Sequence, residues 1–167
     1  MEKLEFLPTS TPSLRQRSQE LEVKEITTPK FQNYLDALIL KMIGARGVGL
    51  ASPQIGKNIR AVVVQPEPTV DPLVLINPVI TKKSEALLES EEGCFSVPNT
   101  YGLVKRHKKV TVQALNRHGR RIEFEVKNFP AFVVQHEIDH LDGILFIDKA
   151  EKKVVLDENG NVKKRVH

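Results

Sequence analysis

Gln135-His136-Glu137-Ile138-Asp139-His140 decides how the rest of this 167-residue chain is read. As a helix, it sets His136 and His140 one turn apart, so both imidazoles leave one face and can close on one metal ion. Glu137, about 100° round from His136, is near enough to take a proton from a water at that metal. Phe129, Phe132 and Val133 continue the face upstream, which puts the metal at the edge of an apolar core. Asn128 is placed to cap the helix, Pro130 suits its first turn, and Asp142-Gly143 supplies a stop. A charged helix with two half-buried histidines is the plainer reading. A chance match at this spacing has odds on the order of one in a hundred, so the metal reading is preferred.

Working outward, the third ligand comes next. Glu91-Glu92-Gly93-Cys94-Phe95-Ser96-Val97-Pro98 carries the single cysteine, after a glycine and in a stretch of β character. One thiolate and two imidazoles make three protein ligands and leave a fourth position for water, as catalytic sites require. Gly47-Val48-Gly49-Leu50-Ala51-Ser52-Pro53-Gln54 is a loop of small residues that another backbone can approach closely. It lacks the spacing of a phosphate-binding loop, which argues against nucleotide binding.

The remaining elements are read from their periodicity. Phe31, Leu35, Leu38, Ile39, Met42 and Ile43 predict a core helix from Pro29, ended by Gly44 or Gly47. A short polar helix is expected over Ser13–Arg17. Strands are expected over Ile59–Gln65, Leu73–Ile76, Val79–Lys82 and Ala86–Glu89, punctuated by prolines. Lys109–Leu115 and Arg121–Val126 flank Asn116-Arg117-His118-Gly119 as a hairpin. Lys105–Lys109 reads as a solvated strand edge. The pattern is α+β, with antiparallel and mixed β-sheets wrapped round a central helix that carries the His-Glu-x-x-His motif. Residues 1–150 read as a single catalytic domain. Residues 151–167 read as a basic C-terminal tail or short hairpin; from Lys149 on, six basic residues face three acidic ones, a net +3.

Composition bounds the function. Hydrophobic content of 40% and charged content of 28% are ordinary for a globular protein. There is no Trp and aromatics are 5% of the chain, so no base-stacking surface is suggested. The formal net charge of +4 is compatible with a phosphate-bearing partner without requiring one. The first eight residues show no apolar segment of a secretory signal, and no apolar run is long enough to span a bilayer. The lone Cys94 fits a reducing compartment, and the expected location is cytoplasmic.

Three stretches together resemble the peptide deformylases. Gly47–Gln54 resembles the family's Gly-x-Gly-Leu-Ala-Ala-x-Gln motif, Glu92–Ser96 its Glu-Gly-Cys-Leu-Ser motif, and Gln135–His140 its Gln-His-Glu-x-Asp-His motif. All three stand in the family's order. The resemblance implies removal of the formyl group from N-formylmethionine of new polypeptides. It implies Cys94, His136 and His140 as metal ligands and Glu137 as general base and acid. It further implies Gln54, through its side-chain amide, and Phe95, through its backbone N–H, as donors to the developing oxyanion.

Phe95 stands where the family has Leu, and Ser52 replaces the second Ala. Val48, Phe129, Phe132 and Val133 are expected to line the methionine pocket. The Val48–Gly49 and Gly93–Phe95 backbones are expected to take the peptide as an added strand, with Glu92 close by. Arg106 and Asp139 fall where the family places an ion pair that orients the ligands. One divalent ion is implied, ferrous in the cell, with zinc, nickel or cobalt able to replace it. The implied partners are nascent N-formylmethionyl polypeptides, with the ribosome near its exit tunnel as a further candidate; neither membrane nor DNA is indicated. Rival readings are a zinc peptidase of the His-Glu-x-x-His type, which lacks a downstream ligand other than His167, and a degenerate ribosome-binding homologue.

Overall fold

The computed structural model describes residues 4–166. Met1–Lys3, part of the stretch read for a targeting signal, and the terminal His167 lie outside the described residues. Among the described residues, nine strands form two sheets. The first sheet contains β1 (Gly49–Ala51), β2 (Ala61–Val64), β3 (Leu73–Lys83), β6 (Lys109–Leu115) and β7 (Arg121–Lys127), in that spatial order. The second contains β4 (Leu87–Cys94), β5 (Val97–His107), β8 (Lys152–Leu156) and β9 (Val162–Val166), also in that order. Every strand pairing is antiparallel. The expected mixed sheets are therefore corrected: the parallel contact among the described residues is an isolated bridge between Gln19 and Ile59.

The strand β2 shows how the sequence builds the core. Its four residues are all buried, yet alternation sends them to opposite faces. Ala61 and Val63 join Leu35, Leu38 and Met42 of the helix α2 (Pro29–Gly44), which follows the four-residue helix α1 (Val23–Ile26). Val62 and Val64 join Ala131, Val133, Val134, Ile138 and Leu141 of α3 (Phe129–Leu141). The first sheet is thus covered on both faces, and each such fully buried Leu, Ile or Val contributes roughly 1.5–3 kcal/mol. The helix α2 begins at Thr28, whose hydroxyl accepts from the Phe31 N–H at 3.3 Å, and Pro29 fills its first position.

Several local expectations need correction. Leu73–Ile76 and Val79–Lys82 are one strand, because a register shift between Ile76 and Val79 accommodates Pro78 without ending the ladder. Val97–His107 forms the long interior strand β5, hidden in the sequence by Pro98, Gly102 and a run of charges. Lys105–Lys109 is accordingly no simple solvated edge: alternation along β5 buries Val104 and Arg106 while Lys105 faces solvent. The strand at Ala86–Glu89 runs on to Cys94. Ser13–Arg17 gives only a 3₁₀ turn over Pro12–Arg15. Asn128 makes no side-chain cap; its φ of 57° turns the chain sharply into α3. After a four-residue helix α4 (Phe146–Lys149), β8 pairs with β5 from Thr100 to Leu103, and β9 closes a hairpin on it. Among the described residues, no helix is long and apolar enough to cross a membrane.

Candidate metal centre and catalytic cleft

The sulfur of Cys94, at the end of β4, meets the two α3 histidines. Cys94 Sγ lies 3.3 Å from His140 Nε2, which lies 3.2 Å from His136 Nε2. All three candidate ligand atoms fall within 4.8 Å of one another. His136 Nδ1 is 2.8 Å from Glu92 Oε2. That carboxylate only accepts, so the ring donates there and turns the lone pair of Nε2 toward the cluster. Burial holds the His140 imidazole well below the usual histidine range, leaving it neutral. Two imidazole lone pairs and a thiolate facing one another repel unless a cation lies between them. Their spacings approach the edges of a coordination tetrahedron at ordinary metal–nitrogen and metal–sulfur lengths, roughly 3.3–3.6 Å. The donor set fits a divalent metal.

Behind the candidate ligands stands a buried charge network. Arg106, 2% exposed, donates to both oxygens of Glu92 at 2.8 and 2.9 Å and to Asp139 at 2.5 Å. Lys149 Nζ reaches both Asp139 oxygens at 2.8 Å. Burial alone would raise the Glu92 pKa. Hydrogen bonds from Arg106 and His136, with the guanidinium charge, outweigh it and hold the carboxyl at about 2. Glu92 therefore stays ionised and keeps the His136 ring oriented. The neighbouring Gln135 ties α3 to β5, its amide bridging the His107 N–H and C=O at 3.0 and 2.9 Å.

Glu137 lies on the cleft side, 5% exposed, and its Oε2 has no hydrogen-bond partner among the described residues. Burial is the main cause that pushes its pKa up to about 7. A Cβ at Gly49 would sit 2.4 Å from Glu137 Oε1, so a glycine is needed there for this carboxyl to approach β1. Gln54 sits in a 3₁₀ turn over Ser52–Ile55. Its Oε1 accepts the Ala51 N–H at 2.9 Å, which points Nε2 at Cys94 Sγ, 3.3 Å away. The Ser52 hydroxyl accepts from Tyr34 Oη at 2.7 Å, anchoring that turn to α2 rather than facing the cleft.

These groups open into a cleft of about 530 Å³. Of the residues named from sequence, Val48, Gly49, Gln54, Glu92, Gly93, Cys94, Phe95, Phe129, Phe132, Val133, His136 and Glu137 line it. His140, Arg106 and Asp139 lie outside that lining. Phe129 and Val48 are rim residues at 49% and 39% exposure, whereas Val133 is buried. The Phe95 ring stacks on Phe6 at 4.5 Å and fills the space a Cβ at Gly47 would take. Sequence reasoning missed Arg46 and Tyr101 in the lining, Lys149 on Asp139, and Arg60. Buried Arg60 donates to the Leu141 carbonyl, to Asp142 and to the Pro78 carbonyl at 3.1, 2.8 and 3.4 Å. A single arginine before an apolar run gives no signal of such a role.

A family model described as polypeptide deformylase matches residues 3–155. A peptide deformylase of Fusobacterium nucleatum is 44% identical over 154 residues, 90% of this chain and 87% of that protein. Peptide deformylase 2 of a Nostoc species is 37% identical, over 92% of this chain and 89% of that protein. Among solved structures, the peptide deformylase of Thermotoga maritima superposes with a TM-score of 0.84 at 31% identity, over 90% of this chain and 99% of that one. A Met-Ala-Ser-bound class I type b peptide deformylase from Acinetobacter baumannii superposes with a TM-score of 0.83 at 32% identity, over 87% and 97%. With its length matched almost throughout and its cleft groups converging as described, this chain belongs to the polypeptide deformylase family.

Proposed function

We propose that this enzyme removes the formyl group from the N-terminal formylmethionine of nascent polypeptides. The observation that carries this reading is the buried, unpartnered carboxyl of Glu137, set beside three metal-competent ligands and the amide of Gln54 in one cleft. Cys94, His136 and His140 would hold the ion. A divalent metal bound there supplies Lewis acidity, polarising the formyl carbonyl and making a water nucleophilic near neutral pH. With a pKa of about 7, Glu137 takes the proton of the attacking water and returns it to the departing amine. The C–N bond breaks, leaving formate and a free N-terminus. Gln54 Nε2 and the Phe95 backbone N–H donate to the oxygen on which negative charge grows.

The peptide itself is best accommodated as an added strand. The strands β1 and β4 are the outermost members of their sheets, so each has an unpaired edge, and residues of both line the cleft. The Val48–Gly49 and Gly93–Phe95 backbones would pair with the chain, and Val48, Phe129, Phe132 and Val133 would receive the methionine side chain. The A. baumannii relative binds a Met-Ala-Ser peptide, which supports a methionyl peptide as the ligand of this cleft. Glu92, Arg106 and Asp139 orient His136 and α3. Ferrous iron is the metal assigned in the cell, with zinc, nickel and cobalt compatible with the same thiolate–imidazole set. A ligand thiolate is best kept in the cytoplasm, where nascent chains leave the ribosome's exit tunnel.

The test is formate release from formyl-Met peptides against acetate release from acetyl-Met peptides, with iron-loaded enzyme under anaerobic conditions. The added methyl clashes at the carbonyl, so the formyl substrate is expected to turn over far faster; equal rates would reject the reading.

A further inference from the structure

We infer that Arg46 selects acidic side chains in the polypeptide downstream of the formylmethionine, an inference resting on the deformylase reading. The helix α2 ends at Gly44 in a tight reversal: the Arg46 N–H donates to the Ile43 carbonyl at 2.9 Å and the Gly47 N–H to the Met42 carbonyl at 3.0 Å. The residue in the left-handed position of such a turn is usually glycine, and glycines stand close by on both sides. Here the position is Arg46, with φ of 57°. A long cationic side chain is therefore held where the backbone favours none, directly before the Gly47–Gly49 wall of the cleft, which Arg46 also lines.

Its guanidinium makes no hydrogen bond or ion pair among the described residues. Arg15, Arg60, Arg106 and Arg117 each hold a carboxylate. Arg17, Arg120, Arg121 and Arg165 are exposed and, among the described residues, unpaired like Arg46, but of these Arg46 alone lines the cleft. The facing wall carries the exposed Glu91 on β4, so the two walls differ in sign. A peptide lying between β1 and β4 as an extended strand presents alternate side chains to alternate walls. Acid preference then falls on one residue position and is absent at its immediate neighbours.

The experiment uses the metal-loaded full chain and amidated peptides formyl-Met-Xaa-Xaa-Xaa, with Glu, Gln or Lys placed in turn at the second, third and fourth residues. An exposed ion pair gives a modest, salt-sensitive effect, so one position should favour Glu over Lys by about fivefold in kcat/KM at low salt, fading at high salt. Arg46→Asn, which tolerates the left-handed backbone, should lose the discrimination, and Arg46→Glu should invert it. Glu91→Gln should leave the Arg46-dependent ratio in place. Formate release with a Glu-to-Lys ratio near one at every position, or a ratio unchanged in Arg46→Glu, overturns the inference while leaving the deformylase reading intact. Absence of formate release from every peptide overturns that reading and the inference with it.

Discussion

Arg60 and Arg106 are the two buried arginines among the described residues, and both grip the C-terminal part of α3. They do so by different means. Arg106 is enclosed by carboxylates, with both oxygens of Glu92 on one side and Asp139 on the other. Arg60 holds a single carboxylate, Asp142, whose side chain is 40% exposed, and otherwise satisfies carbonyls at Leu141 and Pro78. One arginine thus fixes a charge that reaches a proposed metal ligand, through Glu92 to His136. The other fastens the free carbonyl end of a helix, where a cation is electrostatically favoured. The same side chain at the same helix end steadies the candidate metal site in one case and the backbone in the other.

Glu137 sets the scale for testing that difference, because neither arginine bonds to it. Glu137→Gln should retain the metal and the fold while kcat falls by roughly 10²–10⁴ or more, since a carboxamide cannot accept the proton. Cys94→Ser should instead arrive depleted of metal, a hydroxyl being a poor substitute for a thiolate. Metal content and kcat measured side by side decide the matter, and a metal-loaded, active Glu137→Gln would remove the assigned role.

Arg106→Met comes next. It strands Glu92 in the interior without its counter-charge, so stability should drop by roughly 3–5 kcal/mol. Metal affinity should fall about 10–100-fold as His136 loses its fixed orientation. Metal titration and urea unfolding report both. The pH dependence sharpens the test. In the parent the Glu92 carboxyl is depressed from 4.5 to about 2. Its contribution to stability is complete above 4.5 and is lost as pH falls from there through about 2. The stability gap between parent and variant should therefore narrow on acidification across that window. A gap that stays constant with pH breaks the charge-based account of Arg106.

Arg60→Met should cost less, about 1–3 kcal/mol, because the Leu141 carbonyl keeps its bond from the Ser18 N–H and the half-exposed Asp142 carboxylate remains open to water. Metal affinity is expected to remain within about threefold, because no ligand bonds to that arginine. If Arg60→Met releases metal as readily as Arg106→Met, the two arginines are not distinct in kind. The smallest effect is expected for a chain cut after Leu156, which removes β9 and touches neither arginine. Turnover of a short peptide should stay within a few-fold, as suits an exposed edge. A collapse of activity at unchanged folding would tie the hairpin to the cleft.

The comparison also marks what could be read from sequence. The His-Glu-x-x-His helix and the core helix after Pro29 were legible because their 3.6-residue periodicity is strong and their ends are punctuated. Cys94 was legible as the single thiolate able to complete a three-ligand set, whereas Gln54 and Arg106 were legible only through resemblance to a known set of motifs. By contrast, β5 was invisible: Pro98, Gly102 and a run of charges interrupt its pattern, and Lys105–Lys109 read as a solvated strand edge. Pairing on both sides overrode those local preferences and buried Arg106 among carboxylates. Pro78 misled in the same way, since a register shift absorbed what propensity treats as a strand end. Arg60 and Arg46 carried no local signal because their roles come from residues far away in sequence or from one backbone angle.

The glycine wall of the cleft bears on how inhibitors could be evaded. A side chain at Gly49 would run into Glu137 at 2.4 Å, and one at Gly47 into the Phe95 ring at 2.5 Å. A compound that rests on this stretch of backbone touches atoms that substitution cannot readily reshape without disturbing the reacting groups. Resistance by point mutation would have to arise at the rim, at Val48, Phe129, Tyr101 or Arg46. An inhibitor that keeps its contacts on the glycine side and off those four would leave the enzyme few routes of escape.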